Sequence, residues 1–95
     1  MNPEQAKELN HLLLRIGAHL DQSVAFVKDC DSDENFLRYR EVVGELMGNL
    51  FCDALQPLWQ RFPELLPDYL DGPYKVPASA YQPTFHPPAP ESPAD

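Results

Sequence analysis

Apolar residues in the first third of the chain recur at steps of three and four: Leu9, Leu13, Ile16, Leu20, Val24 and Val27, with Leu12 widening the stripe. That is the period of a helix with one face turned to a core. Asn2 is placed to cap it, Pro3 supplies the preset dihedral of a first turn, and Gln5 stands where a capping box takes Glu or Gln. The pattern predicts a helix from Pro3 to about Lys28. The stretch DCDSDEN, Asp29 to Asn35, interrupts it with turn formers and a second cap signal, Asp31 followed three residues later by Glu34. A second helix is expected from about Asp33, its acids crowding the positive end of its dipole.

The second helix carries more apolar residues than one seam requires. Placed at about 100° per residue, they fall into two stripes. Phe36, Tyr39, Val43, Leu46, Met47, Leu50, Ala54 and Leu58 form the natural partner of the first helix. Leu37, Gly44, Gly48, Phe51, Leu55, Trp59 and Phe62 lie on the adjoining arc. This second stripe contains GELMG, whose two missing side chains on successive turns admit a close neighbour. In membranes that spacing marks dimer faces. Here the neighbour is either a second subunit or the chain's own tail, and the spacing does not choose between them.

The run LQPLWQRFPELLPDYLDGP, Leu55 to Pro73, changes the picture at the open end of the hairpin. Pro57 lacks the amide of an interior helical bond, so a kink is expected near Asp53 to Gln56. Phe62 before Pro63 reads as a boundary, PELL and PDYL as fresh single turns, and Asp71-Gly72 as a turn. Trp59, Phe62, Leu65, Leu66 and Leu70 would then cover Ala6, Leu9 and Leu13. The competing role for Trp59 is that of an exposed recognition anchor. Beyond lies PYKVPASAYQPTFHPPAPESPAD, with seven prolines in 23 residues. An extended or disordered tail is expected there, with Tyr81 and Phe85 spaced to lie along a groove. The PxxP spacings Pro87 to Pro90 and Pro90 to Pro93 lack a basic flank and read as composition. The expectation is therefore all-α: an antiparallel helical hairpin over 1–72 with a kinked second helix and one or two short C-terminal turns, then a proline-rich tail over 73–95.

Size and charge narrow the function classes. A core of roughly 70 residues buries only about 60% of the surface of its unfolded chain, so dimerisation, as a four-helix bundle, is a live expectation. Of 15 acids and 7 bases, 13 acids and 6 bases precede Gly72. Such a field opposes nucleic-acid phosphates and anionic membranes and favours a basic protein partner. No apolar run reaches the ~20 residues of a membrane span, and no signal pattern opens the chain, which reads as cytoplasmic. Cys30 and Cys52 would stand roughly 25 Å apart along the hairpin, beyond disulfide reach, and are expected as free thiols.

Catalytic and metal constellations fail on geometry. Asp29, Asp31 and Asp33 imitate the opening of a calcium loop, but Glu34 stands where the sharp turn needs Gly and Arg40 where a bidentate Glu should close the cage. His11 and His19 lie about 12 Å apart along one helix, too far to share a metal. His86 belongs to the tail. Cys52 has no histidine in helical reach, and the acidic pair Glu41 and Glu45 sits on a solvated face without a pocket. No catalytic residue, metal ligand or cofactor is expected. An enzyme would need a pocket near Trp59, Arg61 and Tyr69.

Within GELMGNLFCDALQPLWQRFPELLPDYL, the residues Gly48, Leu55, Pro57, Leu58, Trp59, Pro63, Glu64, Leu65 and Pro67 follow a pattern that resembles small bacterial helical-hairpin proteins of uncharacterised function. The likeness spans about 27 of 95 residues and carries no catalytic motif. In size and charge the chain is similar in plan to small acidic toxin-immunity proteins, which implies a dimer and a protein target. The functional expectation is a non-enzymatic acidic protein-binding module, an immunity-like or antitoxin-like inhibitor of a basic protein. The alternative is a homodimeric structural or adaptor subunit. The candidate interface is Leu37, Gly44, Gly48, Phe51, Leu55, Trp59 and Phe62, with Tyr81 and Phe85 of the tail.

Overall fold

The computed structural model describes residues 1–86. It is an all-α antiparallel hairpin of α1 (Pro3–Cys30) and α2 (Asp33–Asn49). A π-helical turn (Leu50–Leu55) leads into α3 (Gln56–Arg61), followed by 3-10 turns at Pro63–Leu65, Asp68–Leu70 and Ala78–Tyr81. Asn2 closes the expected capping box with Gln5: its side chain accepts from the Gln5 amide at 2.8 Å, and the Gln5 side chain returns the bond at 3.0 Å. At the hairpin turn the cap of α2 is Ser32, whose hydroxyl accepts from the Asn35 amide at 3.2 Å. The expected cap, Asp31, instead ends α1. Its carboxylate accepts from the Asn35 side chain at 3.1 Å and the Ser32 amide at 2.7 Å. These two bonds, the Asn35 one foremost, hold its pKa below the usual carboxylate range.

α1 and α2 meet through Tyr39, which donates to Ser23 Oγ at 2.9 Å, and through a close approach at Gly17. A Cβ on Gly17 would sit 3.4 Å from Cδ2 of Leu50, the residue that follows α2, so the end of that helix lies in near contact with α1 there. Of the residues of α2, Val43 alone is buried; Leu37, Val42 and Leu46 stay about half exposed. The exposure of Leu46 departs from the seam expected of it.

The main departure lies at the expected kink. The chain stays helical through Pro57, which falls in the first turn of α3, and the irregularity sits just upstream as the π turn, where the Gln56 amide donates to Phe51 O. A π turn absorbs one extra residue and so turns every later side chain back by about 100°. Leu55, which an unbroken helix would put about 120° from Val43, comes to within about 20° of it, and Trp59 moves from about 160° to about 60°. Both thereby leave the adjoining arc and enter the core.

That core occupies the open end of the hairpin. Ala6 and Leu14 of α1 pack with Leu55, Leu58, Trp59 and Leu65, and Leu9, Leu13, Phe51 and Phe62 close around them. The proline-punctuated segment caps the first turns of α1 as expected, although Leu70 remains exposed. Phe62 breaks the helix at φ −131, ψ 74. The loop that follows is tied by its own backbone: the Tyr74 amide donates to Leu66 O at 3.0 Å, the Asp68 amide to Tyr74 O at 2.8 Å, and the Gly72 amide to Pro67 O at 2.9 Å. Asp71 adopts the left-handed region at φ 65, and a Cβ on Gly72 would lie 2.0 Å from Leu66 O. Only glycine fits that second position.

The segment from Pro73 to His86 lies against α1. It forms the Ala78–Tyr81 turn, buries Ala80, and brings Tyr74, Val76 and Tyr81 onto the core. The two PxxP spacings lie outside the described residues. Cys30 and Cys52 are free and exposed. Among the described residues no helix is long and apolar enough to cross a membrane.

Candidate interaction surface

The residues singled out on α2 and beyond divide sharply in the fold. Leu55 and Trp59 are about 5% and 6% exposed and belong to the core. Phe51 and Phe62 are half-buried at its edge, Phe51 meeting the Trp59 ring edge-on at 5.6 Å between centroids. Leu37 is exposed, and a Cβ on Gly44 or Gly48 would meet nothing within 4 Å. Among the described residues, the tail therefore does not fill the GxxxG stripe. It runs along a different ridge, on α1, where Tyr81 packs on the core and Phe85 meets Phe26 edge-on at 5.4 Å.

The ridge that holds the tail is polar and regular. His11 Nε2 and Tyr74 Oη are hydrogen-bonded at 2.6 Å. Arg15 Nη1 donates to Gln82 O at 3.1 Å, and His19 Nε2 donates to Pro83 O at 2.6 Å. Gln22 Oε1 accepts from the amides of Phe85 and His86 at 2.7 and 3.0 Å, and His86 Nε2 donates to Asp29 Oδ2 at 3.1 Å. All three histidines of the chain are thus spent on one seam. Desolvation, with the charges of Lys7 and Arg15 beside it, lowers the His11 pKa from its ordinary 6.5.

Between this tail and α2 a furrow is left open. Its central part, about 290 Å³, has Leu14, Gly17, Ala18 and Asp21 of α1 as floor and Met47 and Phe51 as one wall, with Tyr69 and Tyr81 opposite. Desolvation, followed by the neighbouring Tyr81 hydroxyl and the charge of Asp68, pushes the Tyr69 phenol up to about 12, so that wall is neutral in water. Beside α3, on the other side of Phe51, lies a cleft of about 420 Å³ between Phe51, Trp59, Leu66 and Leu70. At the other end the furrow continues over Ala18, Asp21 and Ala25 to His86. The lining is mainly apolar, with Gln22, Gln56, Gln60, His86 and the two tyrosines as its polar groups and Asp21 as its one carboxylate, a composition suited to holding side chains.

Sequence reasoning missed Asn10. It is 0% exposed, takes the Trp59 indole N–H on its Oδ1 at 2.9 Å, and donates to Leu65 O at 3.4 Å. A buried Trp needs an acceptor, and an Asn within a leucine stripe was the available signal. Among the described residues no group of three or more His, Cys, Asp or Glu is placed to hold a metal. No known protein family, characterised protein or solved structure matches the chain.

Proposed function

We propose that this chain is a non-enzymatic, acidic protein-binding module whose partner is a basic protein, in the manner of an immunity or antitoxin-like inhibitor. The observation that carries the reading is the way the acids are left. The chain has a net charge of −8, and among the described residues the single ion pair is His86 with Asp29. An acidic net field with a single ion pair among the described residues, beside an apolar furrow whose one carboxylate is Asp21, suits the fast, selective capture of a basic surface. The likeness in size and charge to small acidic immunity proteins points the same way. The three histidines are occupied in holding the tail, which leaves the furrow a recognition surface.

A second reading, a homodimeric structural or adaptor subunit, is favoured by one specific observation: Gly44 and Gly48 face open space on a helix with a single buried residue. Affinity capture of the tagged chain from native lysate, with native mass spectrometry of the eluate, separates the two. An equimolar complex with a basic protein supports the inhibitor; a bare homodimer that falls apart when Gly44 and Gly48 are both changed to Leu supports the adaptor.

A further inference from the structure

We infer that the furrow between α2 and the tail is the docking site of an amphipathic helix from the partner, and that a basic residue of that helix meets Asp21. The inference rests on the protein-partner reading and adds the site and the shape of the ligand to it.

Continuity is the first argument. Phe51 lines both the cleft beside α3 and the central furrow, and Ala18 and Asp21 line both the central and distal parts, so the three hollows adjoin along the ridge. Its floor on α1 is Leu14, Ala18, Asp21 and Ala25, at steps of four, three and four. That is the spacing a helix presents to another helix, and the small residues among them admit a backbone at the close end of the usual 8–10 Å separation. From Leu14 to Ala25 the floor is about 16 Å long, three turns, and the cleft at Trp59 extends it for an anchoring side chain. A strand would need a sheet edge to pair with, and the described residues contain only an isolated bridge.

Charge selects the occupant. No Lys or Arg lines any part of the trough, and Asp21, exposed on its floor, has no ion-pair partner among the described residues. An apolar helix stripe flanked by Lys or Arg satisfies both features. A second copy of this chain would bring another charge of −8 to the same place.

The test is a display selection against the intact chain, using a library of 16-residue helical peptides with a fixed heptad pattern of apolar residues and Lys, Glu or Ala at the flanking positions. Enriched peptides are then titrated against Ala18→Trp and Ala25→Trp, which fill the floor at two independent points, and against Asp21→Asn. The expected result is enrichment of Lys beside the apolar stripe. Binding should weaken at least tenfold on each filled floor and about two- to fivefold on Asp21→Asn, the size of an exposed ion pair. Failure to enrich any peptide above bare support overturns the inference, as do peptides that bind all three variants like the parent. An Ala18→Trp change that splits a homodimer also overturns it, because it seats a second copy in the trough. A basic protein captured equally well by both Trp variants would leave the partner reading standing and remove the furrow from it.

Discussion

Asn10 is the polar keystone of an otherwise apolar core, and replacing it with Leu removes its hydrogen bonds while keeping the number and branching of its side-chain heavy atoms. Two groups would then be orphaned, the Trp59 indole N–H and the Leu65 carbonyl. An unsatisfied buried donor costs about 1–3 kcal/mol. The Leu65 bond, at 3.4 Å, is long and adds the smaller share. A total of about 2–4 kcal/mol is a large part of the roughly 5–14 kcal/mol expected of a chain this size. It corresponds to a fall in Tm of about 10–25 °C. Urea unfolding followed by circular dichroism measures it without relying on Trp59, the only tryptophan in the chain. Trp59→Phe, which orphans Asn10 Oδ1 from the other side, completes a cycle. The double variant should cost about 1–3 kcal/mol less than the two single changes added together, because it removes both partners of the Trp59–Asn10 bond and leaves only the Leu65 carbonyl without its donor. Strict additivity, or an Asn10→Leu cost below about 0.5 kcal/mol, would refute this account of the core.

The pKa of His11 is lowered, so the unfolded chain takes up the proton first: the stability tied to neutral His11 is complete above pH 6.5 and is lost as pH falls below it. Urea midpoints from pH 7.5 to 5 should therefore fall more steeply for the parent than for His11→Gln, and parallel curves would contradict the assignment. Gly72→Ala should destabilise strongly, because its Cβ would meet the Leu66 carbonyl at 2.0 Å. Gly48→Ala, in open space on a helix, should instead stabilise the monomer by about 0.8–1 kcal/mol, and the opposite order in thermal melts would refute both placements. Truncation after Gly72 exposes the core beneath Tyr74, Val76 and Ala80 and should cost at least about 2 kcal/mol; unchanged melting would mean the tail contributes nothing to the fold.

Local chemistry made much of this fold legible. Asn2, Pro3 and Gln5 set the start of α1, the leucine and valine spacing set its buried face, and the prolines at 63 and 67 marked where the cap breaks into short turns. What escaped depended on register or on distant partners. A helical wheel assumes one constant period, and Pro57 signals a break without revealing that the preceding turn takes in an extra residue. The wheel therefore left Leu55 and Trp59 on the adjoining arc, although the proline-punctuated segment by itself placed Trp59 over Ala6, Leu9 and Leu13, where it lies. Asp31 was an acceptable cap by type, but its carboxylate is held by Asn35 and Ser32, which passed the role to its neighbour. The tail's place on α1 depends on hydrogen bonds across more than 60 positions at His11, Arg15, His19 and Gln22, and no local pattern encodes such pairings. Of the proposed site, the acidic field could be read directly, whereas the furrow exists only once the tail and the π turn are both in position.

The measurement closest to the central claim is the association rate of this chain with the basic protein recovered by capture, followed from about 50 to 500 mM salt, a range over which the screening length shrinks from more than 10 Å to about 4 Å. Recognition through uncompensated acids predicts a fall of at least about tenfold in that rate, with dissociation much less affected. A rate indifferent to salt, or capture that returns only a homodimer, would contradict it.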